Sequence, residues 1–456
     1  MFESMRPPET PAAVPAIGAL ASFLDLLPAL DTTELGEGAL IDVLAGAEAT
    51  KNALSALQAR AAVALDTVVR TRHAAEGIPR EKAGAGIHTQ VALARSESPH
   101  MGHRLVGMAK AVVNEMPHTH HALATGRLSE WRATLLVKET ACLSVEQRRQ
   151  VDEQLLADPR VLEGVGTRAL VARARKLAYA VSPSAVVDRA RRAVNDRRVS
   201  LRPAPDTMSI LSGLLPVAQG VSVLKALTGE ADRLVGIGDG RTRGQIMADT
   251  LVERLTGQAM AAAVPVAIQL VMTDRALFHG EGEPAFLPGY GVIPAQVARD
   301  LIRRAGGLRA HGTRTADSRA PGSDAGGTDD LPAPQQLAWI RRLYTAPETG
   351  DLVAMDSRAR IFPAGLARFI ETRDQCCRSP WCDAPVRHHD HVLGWAAGGK
   401  TTAANSAGLC ADCNYSKEAS GWRTETVPGD RHTTVITTPT GHHYRSQAPP
   451  LPGDTS

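Results

Sequence analysis

Hydrophobic side chains recur at helical spacing in the first part of the chain. Between Leu40 and Thr71 they occupy Ile41, Leu44, Ala47, Leu54, Leu57, Ala61, Leu65 and Val68. This spacing places them on one face of an α-helix. Because no proline interrupts the segment, the pattern predicts one long helix.

Further helices are indicated by their start signals and by shorter periodic stretches. Ser144-Val-Glu-Gln147 reads as a capping box, in which the serine and the glutamine satisfy free backbone N–H groups. Ser182-Pro183 places proline at a first helical position. Residues 246–255 and 364–372 carry hydrophobic residues on one face and predict two more helices.

Three segments predict extended structure. Residues 199–202 and 208–212 alternate, and Pro203, Pro205 and Asp206 lie between them as turn residues. The third is Val264–Val271. The fold class is therefore α+β, with a mainly α-helical N-terminal domain that carries a small sheet.

Composition changes along the chain predict its division into domains. Residues 1–37 are rich in Pro, Thr and Gly and predict a flexible arm. The helical domain spans 38–305. Residues 306–334 lose all periodicity among Gly, Ser, Asp and Pro, which predicts a disordered linker. A compact second domain at 335–446 and a tail at 447–456 follow.

Bulk properties narrow the functional classes. The net charge is only +3, so nucleic-acid binding cannot be argued from global charge and any basic surface must be local. The first fifteen residues lack the basic and apolar regions of a signal peptide. The apolar run from Met260 to Met272 is too short to cross a membrane. We therefore expect a cytoplasmic protein without a membrane partner.

Five of the six cysteines lie between Cys376 and Cys413. Four residues separate Cys377 from Cys382, and two separate Cys410 from Cys413, which suits two knuckles that share one tetrahedral zinc. Four sulfurs leave no open position, so this Zn²⁺ is predicted to be structural. Cys376 is an alternative to Cys377, but its gap to Cys382 is one residue longer than usual.

The segment around the second knuckle carries groups suited to phosphodiester hydrolysis. His391 has the residue type of a base that activates water near neutral pH. Asp390 and Asn414 offer two hard oxygen ligands for Mg²⁺. Lys417 follows Asn414 by about one helical turn and is placed to touch a phosphate. One suitable carboxylate favours hydrolysis with one metal ion over a two-metal mechanism.

The order Asp-His, Asn, Cys-x-x-Cys-Asn-x-x-x-Lys resembles the HNH (ββα-metal) endonuclease module with an embedded four-cysteine zinc. The resemblance implies that His391 is the general base and that Asp390 and Asn414 bind a catalytic Mg²⁺ or Mn²⁺. It implies that Asn405 holds the loop so that the histidine is oriented. The expected function is hydrolysis of DNA phosphodiester bonds, with double-stranded DNA as the partner.

The resemblance extends beyond this module. Ala124-Thr-Gly-Arg-Leu-Ser129 and Pro288-Gly-Tyr-Gly291 look like parts of the helical domain of unknown function that precedes the module in the 13E12-repeat family. In the second domain it includes 340–345, Thr349-Gly350, Arg373-Asp374 and 437–441. For the helical domain the resemblance assigns a family but no activity.

Two alternatives stay open. Neighbouring strand residues point to opposite faces, so a regular strand would place His389 and His391 together and Asp390 opposite. His389 would then be a metal ligand and Asp390 its supporting partner. The other alternative is a non-catalytic zinc ribbon that binds nucleic acid or protein, in which Asp390, His391 and Asn414 are spectators.

Overall fold

The computed structural model describes residues 14–258, 270–280, 282–304 and 360–450. The chain divides into two compact units. One comprises Met1–Arg192 together with Ala354–Ala448, and the other comprises Ala193–Val353 with Pro449–Ser456. The first unit thus combines the N-terminal helices with the cysteine-rich segment. The boundaries predicted at 305 and 335 do not coincide with this division and stay a prediction.

The first unit begins with nine helices. They are α1 Val14–Leu26, α2 Glu37–Ala75, α3 Ile87–Ala94, α4 Pro99–Glu115, α5 Pro117–Ala124, α6 Glu130–Thr140, α7 Val145–Leu156, α8 Thr167–Val181 and α9 Pro183–Ala193. The predicted long helix is confirmed by α2, and α9 begins at the predicted proline. The structure differs from the predicted arm, because α1 forms there from an Ala- and Leu-rich stretch that favours helix.

Serine side chains cap the N-termini of several of these helices. Ser98 accepts a hydrogen bond from the Met101 N–H at the start of α4. The predicted capping box of α7 is present, with both the Ser144 and the Gln147 bonds formed. Each cap satisfies backbone donors that the helix itself leaves unpaired.

The helices of this unit pack around two main hydrophobic clusters. One joins α4 to α8 through buried residues such as Val112, Leu136 and Leu170. The other joins α2, α3 and α4 around Ala59, Ile87 and Leu105. Helices α3 and α4 therefore pack together as a platform, which the C-terminal segment contacts through Asp412.

That C-terminal segment contains α14 Ala364–Asp374, β5 His388–His391, β6 Ser406–Leu409, α15 Ala411–Lys417, β7 Arg423–Val427, β8 Thr433–Thr437 and β9 His443–Gln447. Strands β5 and β6 pair antiparallel, and α15 follows directly. Strands β7, β8 and β9 form an antiparallel sheet. The predicted helix at 364–372 is confirmed by α14.

The second unit is described by itself. It contains β1 Arg198–Pro203, β2 Ser209–Leu214, α10 Val217–Gly236, α11 Arg243–Thr256, α12 Asp274–Phe278, β3 Ala285–Leu287, β4 Gly291–Ile293 and α13 Ala295–Arg304. The predicted strands at 199–202 and 208–212 are confirmed by the β1–β2 hairpin, and the predicted helix at 246–255 is confirmed by α11.

Some predictions fall outside the described residues. These are the linker at 306–334 and most of the strand Val264–Val271, of which Val271 itself bridges to Phe286. Within the described part of the chain, no helix has the length and apolar character needed to cross a membrane.

Candidate metal centre and catalytic site

The four cysteines predicted to bind zinc converge. The sulfur atoms of Cys377, Cys382, Cys410 and Cys413 all lie within 4.8 Å of one another, and all four residues are buried. Cys376 is half-buried and is not in this cluster. The cluster therefore uses the first knuckle in the register predicted from its spacing.

Local backbone bonds shape both knuckles. The Cys377 N–H donates to Ala384 O at 2.9 Å, and the Cys382 N–H donates to Ser379 O at 3.0 Å. Cys410 is the N-cap of α15, where its sulfur accepts a hydrogen bond from the Cys413 N–H at 3.4 Å. Each pair of sulfurs is thus held by the fold of its own short loop.

The spacing of the sulfurs fits a tetrahedral ion. Zinc–sulfur bonds of about 2.3 Å in a tetrahedron place neighbouring sulfurs about 3.8 Å apart. The Sγ atoms of Cys382 and Cys410 lie 3.8 Å apart. Hydrogen bonds among the four thiols lower the pKa of Cys410 and Cys377 and raise the pKa of Cys382 and Cys413, because neighbouring sulfurs share protons. The buried cluster can hold a zinc ion.

The two predicted oxygen ligands lie on adjacent elements. Asp390 is in β5, opposite Ala407 of β6, and Asn414 is in α15. Asn414 Oδ1 is buried without a hydrogen-bond partner, whereas the buried Asp390 Oδ2 forms an ion pair with the Lys417 ammonium group. Buried polar atoms almost always have partners, so the unpartnered Asn414 oxygen fits a bound cation. Both side chains offer hard oxygen donors of the kind that Mg²⁺ accepts.

Lys417 occupies the space next to Asp390. Its ammonium group forms an ion pair with Asp390 Oδ2 and donates a hydrogen bond to the His391 carbonyl at 2.6 Å. The Lys417 side chain is only 13% exposed. The structure therefore places Lys417 beside a predicted metal ligand and at the end of β5, rather than free in solvent.

His391 is buried at the end of β5. Its Nε2 lies 2.8 Å from Thr401 Oγ1, and its ring centroid lies 4.7 Å from that of Phe362 and 5.8 Å from that of Trp395. Burial lowers the pKa of His391, against the opposing effect of the Asp390 charge. The neutral imidazole is thereby favoured.

Asn405 joins the two ends of the loop that follows β5. Its side-chain Oδ1 accepts from the Leu393 N–H at 2.8 Å, and its Nδ2 donates to the carbonyls of Leu393 at 3.1 Å and Lys400 at 2.9 Å. Gly399 lies in this loop, where an added Cβ would come within 1.8 Å of Leu393 O. The loop is therefore closely packed around the asparagine.

Strand β5 keeps its regular alternation. His389 and His391 both have their rings near Phe362, at 6.4 Å and 4.7 Å between centroids, whereas Asp390 contacts Lys417 of α15. His389 donates from Nε2 to Glu371 Oε1 at 3.0 Å. The structure thus brings Asp390 and Lys417 together, and it places the His391 ring against another set of neighbours.

A buried ion pair between Arg373 and Asp374 binds the backbone of β6 and of the loop before it. Arg373 donates to both carboxylate oxygens of Asp374, at 2.7 and 3.0 Å, and to the carbonyls of Ala403 and Ser406. Asp374 also accepts from the Gly408 N–H at 2.7 Å. The pair is thus tied to the backbone of β6 and to the residues just before it.

Some neighbours of the site were not singled out from the sequence. Thr401, Phe362 and Glu371 contact the two histidines. Thr401 lies between His391 and Asn405 in the sequence, so its position in this loop was the only signal in the sequence that it could contact the histidine. Nothing in the spacing of Phe362 or Glu371 indicates their role, because their contacts depend on how α14 packs.

Comparison with known proteins assigns the larger part of the chain. A family model described as "Domain of unknown function (DUF222)" matches residues 43–326, more than half of the sequence. The match ends before the cysteine cluster and the β5–β6–α15 segment. No curated protein and no solved structure matches the chain.

Proposed function

The chain belongs to the DUF222 family, and we propose that its C-terminal segment is a metal-dependent endonuclease of the HNH type that hydrolyses DNA. The family description names no activity, so the proposal depends on the C-terminal side chains. The observation that carries it is the buried Asn414 Oδ1, which has no hydrogen-bond partner, on the helix that contacts the strand of Asp390. The Asp390 and Asn414 oxygens lie in the β-β-α order that the resemblance implies.

These two oxygens are the proposed ligands of one Mg²⁺ or Mn²⁺. An aspartate carboxylate and an asparagine carbonyl suit hard divalent cations better than zinc. Such an ion, when bound, would neutralise the developing charge on the scissile phosphate. The four cysteines would hold a separate structural zinc that fixes the start of α15, and with it Asn414.

His391 is the proposed general base. In the tautomer whose Nε2–H donates to the Thr401 hydroxyl oxygen, Nδ1 carries the lone pair and can accept a proton. Burial keeps the imidazole neutral near pH 7, as a base requires. A water molecule gives a proton to His391 and its oxygen atom forms a bond to phosphorus, while the bond from phosphorus to the leaving oxygen breaks. The leaving oxygen takes up a proton from solvent, and His391 later returns its own proton to solvent.

Lys417 has a supporting role in this proposal. Its ammonium group pairs with Asp390 and bonds the carbonyl of His391, so it links the strand that carries the base to the helix that carries Asn414. Exposed cations at Arg360, Arg387 and Lys400 surround β5 and its loop. These three cations supply local positive charge that can bind a phosphate backbone. The small net charge of the whole chain does not supply it.

The test is plasmid cleavage by the full chain with Mg²⁺ or Mn²⁺. His391→Ala should abolish nicking, and Asp390→Ala and Asn414→Ala should shift or remove the metal dependence, while all three retain zinc. His388→Ala is the matched control, because His388 lies on the same strand and its ring packs against that of Tyr415, with centroids 5.8 Å apart. Cleavage by His391→Ala at the wild-type rate would show that His391 is not the base.

Two alternatives make different predictions, and the regular alternation of β5 favours the one in which His389 is a metal ligand. If Asp390 serves only as the partner of Lys417, the segment is a zinc ribbon that binds nucleic acid or protein without catalysis. Then no metal ion would support cleavage, and combined substitution of Asp390, His391 and Asn414 would leave DNA binding unchanged. If His389 is the ligand instead, His389→Ala would lose metal-dependent cleavage and Asp390→Ala would retain part of it.

A further inference from the structure

Two histidines of the helical platform meet one carboxylate of the zinc segment. His88 of α3 and His103 of α4 each place Nε2 3.2 Å from the same atom, Asp412 Oδ1. Ser416 Oγ lies 3.3 Å from His88 Nε2. Among the described residues, this is a second group of potential metal ligands besides the four cysteines.

We propose that His88, His103 and Asp412 form a second metal site, which binds a zinc-class divalent ion and fastens α15 to α3 and α4. The three ligands come from three helices, and Asp412 lies 324 and 309 positions from His88 and His103 in the sequence. Two imidazoles and one carboxylate are a common ligand set for zinc, with a fourth position left for water. This site is separate from the four-cysteine cluster and from the proposed catalytic ion.

The distances fit a shared ion. Bonds of about 2.0–2.1 Å in a tetrahedron place neighbouring ligand atoms about 3.3–3.4 Å apart. Both nitrogen–oxygen distances are 3.2 Å, close to that value and longer than the usual charge-assisted hydrogen bond of about 2.7–2.9 Å. The distances from both histidines to Asp412 thus fit ligands of one shared metal ion better than strong hydrogen bonds to the carboxylate.

The rings are also arranged in a way that a cation explains. The His88 and His103 rings stack with centroids 3.5 Å apart and planes 18° apart. Two protonated imidazoles at that distance would repel each other, whereas two neutral rings bound to one ion would not. Neutral imidazole is the form that binds metal.

The backbone around the site allows this close approach. Gly102, which precedes His103, has no side chain where α4 crosses α3, and an added Cβ would lie 2.2 Å from His88 O. The site is open on one side, because His103 is 55% exposed and Asp412 is 36% exposed. An ion can therefore reach it from solvent and keep a water ligand.

The test measures zinc on the full chain after removal of any affinity tag. The wild-type protein should bind one zinc at the cysteines and a second equivalent upon titration, measured by calorimetry and by metal content after gel filtration. His103→Ala should lose the second equivalent and retain the first. We expect the affinity of His103→Ala for the second zinc ion to fall by more than the roughly 10–100-fold that loss of an outer-shell partner typically costs.

His100→Ala is the matched control, because His100 is an exposed histidine in the same helix and should keep both equivalents. Zinc should also raise the midpoint of thermal unfolding in the wild type and in His100→Ala more than in His103→Ala, since a ligand of the native state stabilises it. His88→Ala should repeat the loss seen in His103→Ala.

Two results would overturn the proposal. One is a wild-type protein that binds a single zinc equivalent at any zinc concentration, which would make the cluster a hydrogen-bonded contact only. The other is a second equivalent that persists unchanged in His103→Ala and His88→Ala, which would place that ion elsewhere. Neither result depends on whether the protein cleaves DNA.

Discussion

The Asn405 side chain binds both backbone groups of Leu393. It accepts a hydrogen bond from the Leu393 N–H at 2.8 Å and donates one to the Leu393 carbonyl at 3.1 Å. The loop after β5 is therefore closed by a side chain in addition to the backbone bond from the Val392 N–H to Asn405 O at 3.0 Å. Because Leu393 follows His391 by two positions, this closure fixes the direction in which the chain leaves the strand.

Asn405→Ala should open this loop. Loss of three hydrogen bonds to backbone groups is expected to cost about 1–3 kcal/mol of unfolding free energy, measured by urea denaturation, and to speed exchange of the Leu393 amide hydrogen. Asn414→Ala is the contrasting variant, because its Oδ1 has no hydrogen-bond partner to lose. Equal destabilisation by the two variants would contradict the assigned role of Asn405.

Asp374→Ala should destabilise the C-terminal segment strongly. It leaves the Arg373 guanidinium buried without its partner and removes the bond to the Gly408 N–H. Breaking a buried pair in this way typically costs about 3–5 kcal/mol. Asp430→Ala, at an exposed aspartate of the same segment, should cost less than about 0.5 kcal/mol by the same denaturation measurement.

Removal of zinc should unfold the knuckles. A strong chelator is expected to remove stabilisation on the order of 10–16 kcal/mol in apparent terms, and the fluorescence of Trp381, which lies within the first knuckle, should report it. Cys410→Ser should behave like the chelated protein. Cys376→Ser should keep its zinc, because the Cys376 sulfur is not in the cluster, and loss of zinc from this variant would argue for the other register.

His432 predicts a loss of stability in acid. Burial is the main cause that lowers the pKa of His432 to about 4, whereas the unfolded chain has a value of about 6.5. The unfolded state therefore binds a proton first, and stability falls as the pH drops from about 6.5 towards about 4. The contribution is on the order of 3 kcal/mol, at about 1.36 kcal/mol for each pKa unit.

The matched variant is His432→Gln, which retains a donor for the Ala404 carbonyl that His432 Nε2 contacts at 2.9 Å. Its unfolding free energy should fall less steeply than that of the wild type over this pH range. Since acid also protonates the cysteine cluster, only the difference between the two proteins reports on His432. Parallel pH profiles would show that the His432 ring is not the titrating group.

The parts predicted from the sequence are those in which the chemistry is local. Cys410 and Cys413 lie in one turn, so their spacing alone predicted that their sulfurs meet. The capping box at Ser144 and the long helix α2 likewise depend on neighbours within a few residues. The geometry of such features is determined by residues that are close together in the sequence.

The parts that escaped prediction depend on packing between distant segments. Thr437 and its neighbours were noted for a family resemblance, yet the sheet of β7, β8 and β9 around them was not predicted, because its strands are short and mostly polar. His88 and Asp412 lie 324 positions apart, and no spacing rule connects them. The orientation of the His391 ring was also left open, since it depends on Phe362 and Thr401.

The contact between α3 and α15 has a consequence for synthesis. The Thr89 hydroxyl donates to Ser416 at 2.8 Å, across 327 positions of the chain. At about 5–20 residues per second, a ribosome needs about 15–65 seconds to make the intervening polypeptide. During that time the α3 side of this contact lacks its partner, so the native contact can form only after Ser416 has been synthesised.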